Sequence, residues 1–170
     1  STYQHVQAEN KHTVFIDRFA HQRELPEHCY QIRYHQPCDH QAFMVWADQV
    51  VDTLRHALTP SYLSFDLNDL VLILQAEPSK RFFLQSITLD KINDLILTHP
   101  ALRHANSSIF VITCGSALEM DVFREIVGSV TSIIKEPSSA RFTVYEYPRM
   151  QQVNIAMLYG APNADRPVKP

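Results

Sequence analysis

The chain has 170 residues, 45% of them hydrophobic and 19% charged, with a formal net charge of −3. It is long and apolar enough to bury a sizeable single core, which excludes a disordered chain. The mild acidity and the lack of any Lys/Arg block exclude the basic face that general nucleic-acid binding needs.

Residues 13–19 (TVFIDRF) predict a first strand, and the polar stretch 21–27 with Pro26 a loop. Residues 29–34 (CYQIRY) alternate, with Tyr30, Ile32 and Tyr34 on one face, the pattern of a half-buried strand. The two runs are expected to pair as a hairpin with a long loop. Pro37 stops the second strand and Asp39 stands where a helix N-cap belongs. Apolar residues at spacings of three and four, from Phe43 to Leu58, predict an amphipathic helix over 40–58 that ends at Thr59-Pro60. Residues 62–67 (YLSFDL) follow as a strand. The run 70–74 (LVLIL) either extends that strand after a bulge or forms a short helix, and 82–84 is a further short apolar run.

Leu89, Ile92, Leu95 and Ile96 predict a helix over 88–97, capped by Thr88 or Ser86. Residues 108–114 (SIFVITC) are almost continuously apolar, as expected of a strand covered on both faces. A helix through residue 134 is expected to open at Ser116 or Ala117, with Glu119 completing a capping box from Ser116. Residues 141–147 form the next strand, and 150–158 (MQQVNIAML) a last helix. The order β-β-α-β-α-β-α-β-α predicts an α/β fold: a mixed, mostly parallel four- to five-stranded sheet flanked by helices, centred on 108–114. One domain is expected over 1–160, with a polar, proline-rich tail over 161–170.

No apolar run reaches the roughly 18 residues that cross a membrane, because Asn68 and Asp69 break the longest. The polar start STYQHVQAEN does not read as a signal peptide. Three widely spaced cysteines, Cys29, Cys38 and Cys114, do not form a secreted disulfide framework, so a cytoplasmic protein is expected. Only three glycines occur, Gly115, Gly128 and Gly160. Neither a P-loop nor a G-x-G-x-x-G turn can be drawn from them, and no cofactor is indicated.

Several constellations bear on chemistry. His28, Cys29, His35, Cys38 and His40 are metal-ligand types within one short stretch, but they lack the paired C-x2–4-C spacing of a zinc site and read as surface residues near a strand end. Cys114, followed by Gly115 and Ser116, lies at a strand-to-helix turn, where a thiolate would gain from a helix N-terminus; a buried structural cysteine is the simpler reading. Asp66 and Asp69 flank a strand end, where a divalent cation could sit, or serve as solvated N-capping carboxylates.

Three segments together carry a resemblance: the strand ending in Asp66-Leu67, the helix leading into the apolar strand 108–114, and the strand and helix over 142–158. Their order resembles the STAS domain and its SpoIIAA-like relatives, the anti-sigma-factor antagonist family, over roughly residues 29–159. The resemblance implies a four-stranded sheet flanked by helices and a non-enzymatic regulatory module. Ser86 and Thr88 are the residues placed like that family's phospho-acceptor, although its D-S-S-G segment is absent. The expected function is therefore a regulatory or scaffold domain acting through protein partners. The alternative is a small enzyme or ligand-binding domain with a site at the strand ends near Asp66 and Cys114, and metal binding by the His/Cys stretch is a third option. An edge strand in need of cover makes a homodimer an open expectation.

Overall fold

The computed structural model describes residues 12–19, 21–61, 63, 65–115, 118–135 and 138–161. Among the described residues six strands form one sheet: β1 (Thr13–Asp17), β2 (Cys29–Arg33), β3 (Arg81–Thr88), β4 (Ser107–Cys114), β5 (Ser139–Glu146) and β6 (Asn154–Gly160). Their order across the sheet is β1-β2-β3-β6-β4-β5. The first five run the same way and β6 runs against its neighbours β3 and β4. The mixed, mostly parallel class expected from the sequence is the class observed, with six strands in place of four or five.

Helices cover both faces. On one face α1 (His40–Ala57) and α2 (Leu67–Ala76) bury Trp46, Val50, Leu70 and Leu74 against Ile32, Phe82, Leu84, Ile109 and Leu158. On the other, a 3-10 helix (Leu89–Asp94), α3 (Leu95–Thr98), a second 3-10 helix (Pro100–His104) and α4 (Met120–Thr131) cover Phe110, Ile112, Ile155, Met157 and Val144. β4 is buried at every position, as its unbroken apolar run requires, although β3 and β6 share the sheet's middle.

Helix α1 forms as its sequence dictates. Asp39 accepts a hydrogen bond from the Ala42 amide at 2.8 Å and caps the first turn. Phe43, Trp46, Val50, Leu54 and Ala57 give it an inner stripe, and the Trp46 indole N–H donates to the Leu84 carbonyl at 3.0 Å, fixing the helix to β3.

Other elements correct the sequence reading. β1 and β2 pair in parallel, Thr13 beside Cys29, so they are not a hairpin. Tyr62 and Ser64 lie outside the described residues, while Leu63, Phe65 and Asp66 are not in a strand and Leu67 opens α2, which absorbs the 70–74 run. Ser86 lies inside β3 and not at a helix start, whereas Thr88 ends β3 and stands at the N-cap position of the 3-10 helix Leu89–Asp94, where its side chain makes no cap hydrogen bond. Ser116 and Ala117 lie outside the described residues, and α4 begins only at Met120. Residues 154–158, read as part of a last helix, belong to β6. Its residues alternate between the two cores, Ala156 and Leu158 on one side and Ile155, Met157 and Tyr159 on the other, so every position from Ile155 to Tyr159 faces a core and no period-two signal survives.

One buried carboxylate ties the lower edge of this sheet together. Glu77, at the end of α2, is 1% exposed. It accepts hydrogen bonds from the Ser79 amide and hydroxyl (3.3 and 2.9 Å) and from the Asn106 amide and side chain (3.2 Å each to Oε2). A β-carbon at Gly160 would collide with this carboxylate, so β6 must end in glycine to lie beside it. Glu77→Ala strands several buried donors and is expected to cost about 2–4 kcal/mol in urea unfolding. Gly160→Ala is expected to destabilise by the same route, through the displaced carboxylate, and the double variant should cost less than the sum of the two.

Candidate functional site

The connection after β2 leaves for the α1 face, whereas the connection after β3 leaves for the opposite face. Both step the same way across the sheet, so the two crossovers have opposite hands, and the usual right-handed rule holds for only one of them. Neighbouring parallel strands whose connections diverge leave a crevice outside their carboxyl ends, the place where α/β sheets bind ligands. Pairing between β2 and β3 stops at Arg33 and Phe83, while β3 runs on to Thr88.

A cleft of about 600 Å³ opens there. Trp46, Val45 and Gln49 of α1 form one wall, Leu84, Gln85 and Ser86 the floor, and Tyr34, His35 and His99 the remainder. The Tyr34 ring stands edge-on to Trp46 at 5.0 Å and tilted against His35 at 4.9 Å. His99 sits at the corner between α3 and the second 3-10 helix, held by its amide to the Leu95 carbonyl at 2.8 Å and followed by Pro100. The Nδ1 of His35 and both ring nitrogens of His99 are shut off from water without a well-formed protein hydrogen bond, a state that costs about 1–3 kcal/mol per group.

Burial pushes His35 below the usual imidazole range. The same desolvation lowers His99, opposed by the Thr98 backbone and reinforced by His35. His56, stacked on Tyr145 at 3.9 Å between α1 and β5, is lowered by burial and by Arg55, against a raising effect of Asp52. Across the sheet Asp17 is desolvated, which works to raise it, yet the hydrogen bonds from Arg23 (3.0 Å) and Gln31 (2.9 Å) prevail and hold it below the carboxylate range.

Of the residues singled out from the sequence, Ser86 alone reaches the cleft floor without belonging to the His/Cys stretch, and it is exposed there. Thr88 pairs with Asn154 at the strand's end. Asp66 and Asp69 cap α2 reciprocally, each accepting from the other's backbone amide at 3.0 and 3.1 Å, and Asp69 faces Arg141 at 3.7 Å. Cys114 is buried in the opposite core. Arg141 pairs beside Ile109, five residues before Cys114 along β4, roughly 17 Å of strand. The carboxylates and the thiol are thus on opposite faces and share no site. The turn after Cys114 is tight for packing reasons, since a β-carbon at Gly115 would strike the Met150 carbonyl. Ser116 lies outside the described residues.

Strand β2 separates His28 and Cys29 from His35, Cys38 and His40. Among the described residues no three His, Cys, Asp or Glu side chains gather as metal ligands, and no helix is long and apolar enough to cross a membrane. His99 was not a sequence candidate; only the long connection after β3 brings it to His35.

The folded chain binds fewer protons than the unfolded chain at its lowered histidines. Stability is therefore full above pH 6.5, the ordinary histidine value, and declines as the pH falls below it. The thermal midpoint is expected to drop between pH 7 and pH 5, and His35→Gln/His99→Gln should flatten that slope. A thiol reagent is expected to label Cys29 and Cys38, both partly exposed, in the native chain and buried Cys114 only after unfolding.

The chain matches no protein-family model and no curated protein sequence. Its fold is similar to that of FtsZ from M. jannaschii. The empty FtsZ dimer aligns with a TM-score of 0.60 at 12% identity, over 77% of this chain and 44% of that one. An FtsZ mutant (P1) aligns at 0.57 and 12%, over 78% and 46%. The chain thus spans less than half the length of either structure. These neighbours overturn the STAS resemblance: in the strand–Asp–Leu element that carried it, Asp66 is a helix cap and Leu67 opens α2, and the fold is an FtsZ-like α/β fold.

Proposed function

We propose that this chain works through protein–protein contacts, as a scaffold or regulatory domain, and that its first partner is a second copy of itself. The observation that carries this reading is a second apolar stripe on α1. Beside the inner stripe, Met44, Val51 and Leu58 recur at a spacing of seven, two turns of helix, and are 46, 54 and 38% exposed. A helix with one buried seam and a second apolar seam facing water has the pattern of a helix that meets another protein surface. Asp48, Asp52 and Arg55 flank the stripe and supply a polar rim. The FtsZ structure that the fold is similar to is a dimer, which supports self-association as the first form of contact.

Sedimentation at increasing concentration is expected to show a dimer or larger assembly. Met44→Asp/Val51→Asp, at exposed positions, should shift it to monomer with the thermal midpoint within about 2 °C of the parent. A parent chain that stays monomeric at high concentration overturns the reading.

A further inference from the structure

We infer that the cleft at the carboxyl ends of β2 and β3 is a binding site for a small, uncharged, flat heterocycle bearing both hydrogen-bond donors and acceptors on its rim, the chemistry of a free nucleobase. The site is separate from the α1 stripe and does not depend on self-association.

Three observations converge on that ligand. The first is position and size: the divergence of the connections after β2 and β3 creates the crevice, and about 600 Å³ is within the usual range for a small-molecule site. The second is charge. No Lys, Arg, Asp or Glu is among the described residues lining it, so a charged ligand would lose its hydration and find no counter-charge. The third is the character of the polar groups. Neutral imidazole and carboxamide each offer a donor and an acceptor side by side, and the walls hold two imidazoles and the amides of Gln41 and Gln49. The Gln41 and Gln49 side chains are exposed at the wall, and a ring with alternating donors and acceptors supplies the complement to their carboxamides, whereas the Nδ1 of His35 and both ring nitrogens of His99 are shut off from water behind the lining and do not reach it. Trp46 has spent its N–H on the Leu84 carbonyl and offers only an apolar surface, while the Ser86 hydroxyl is open at the floor.

Saturation-transfer NMR of the intact chain with adenine tests this, with benzoate and benzylamine as charged rings of similar size. Adenine is expected to bind with a dissociation constant of about 1 mM or tighter, and the charged rings not to bind. Ser86→Trp fills the cleft from the β3 floor and Gln49→Trp from the α1 wall; each should weaken adenine at least roughly tenfold at an unchanged thermal midpoint. If one variant fails to fold, the other decides. The inference is overturned by no adenine signal in the parent chain, by a signal that survives both tryptophans, by equal binding of the charged rings, or by stoichiometric Zn²⁺ uptake that needs both His35 and His99 and excludes adenine.

Discussion

The structure hangs on Glu77. A carboxylate with 1% exposure is an expensive group to bury, and it is tolerated because the donors around it come from the pieces that must be joined. Ser79 belongs to the turn into β3 and Asn106 stands at the start of β4, and Gly160 closes β6 against the same carboxyl. One side chain thus fixes the lower ends of the three strands where the sheet changes direction. The antiparallel strand can lie between two parallel ones because its last residue has no side chain there.

The upper edge follows from a different constraint. The indole bond from Trp46 to Leu84 draws α1 onto β3 at the point where β2 has stopped pairing. Because the next connection leaves on the far face, none of the described residues fills the space above Leu84 and Ser86, and the cleft is the result. The same helix, held by its inner stripe, has no choice about where its second stripe points. Cleft and outward seam are two consequences of how α1 is seated.

Parts of this were legible in the sequence. The three-four spacing, the Asp39 cap and Thr59-Pro60 marked α1 almost to the residue, and the unbroken run of β4 marked a doubly covered strand. What failed had physical reasons. β6 faces two cores, so its all-apolar run looked helical. Asp66 was read as a strand end because an aromatic, β-prone run precedes it, whereas its reciprocal bond with Asp69 makes it a helix cap. The cleft left no local trace: His35 and His99 are brought together by a crossover, and neither has a neighbour in sequence to betray the other. Ser86 was singled out as a cap residue and reached the cleft by another route, as part of a strand.

The place of β6 has a consequence for how the chain folds. It is the last strand in sequence among the described residues and pairs Phe82 with Gly160 on one side and Ser108 with Tyr159 on the other. Until it arrives, β3 and β4 have no partner between them, and the ribbon β1-β2-β3 and the pair β4-β5 are separate fragments with raw edges. Synthesis must therefore run nearly to residue 160 before the sheet can close. The loops to be closed are long, which slows the final step and leaves two aggregation-prone edges waiting for one strand.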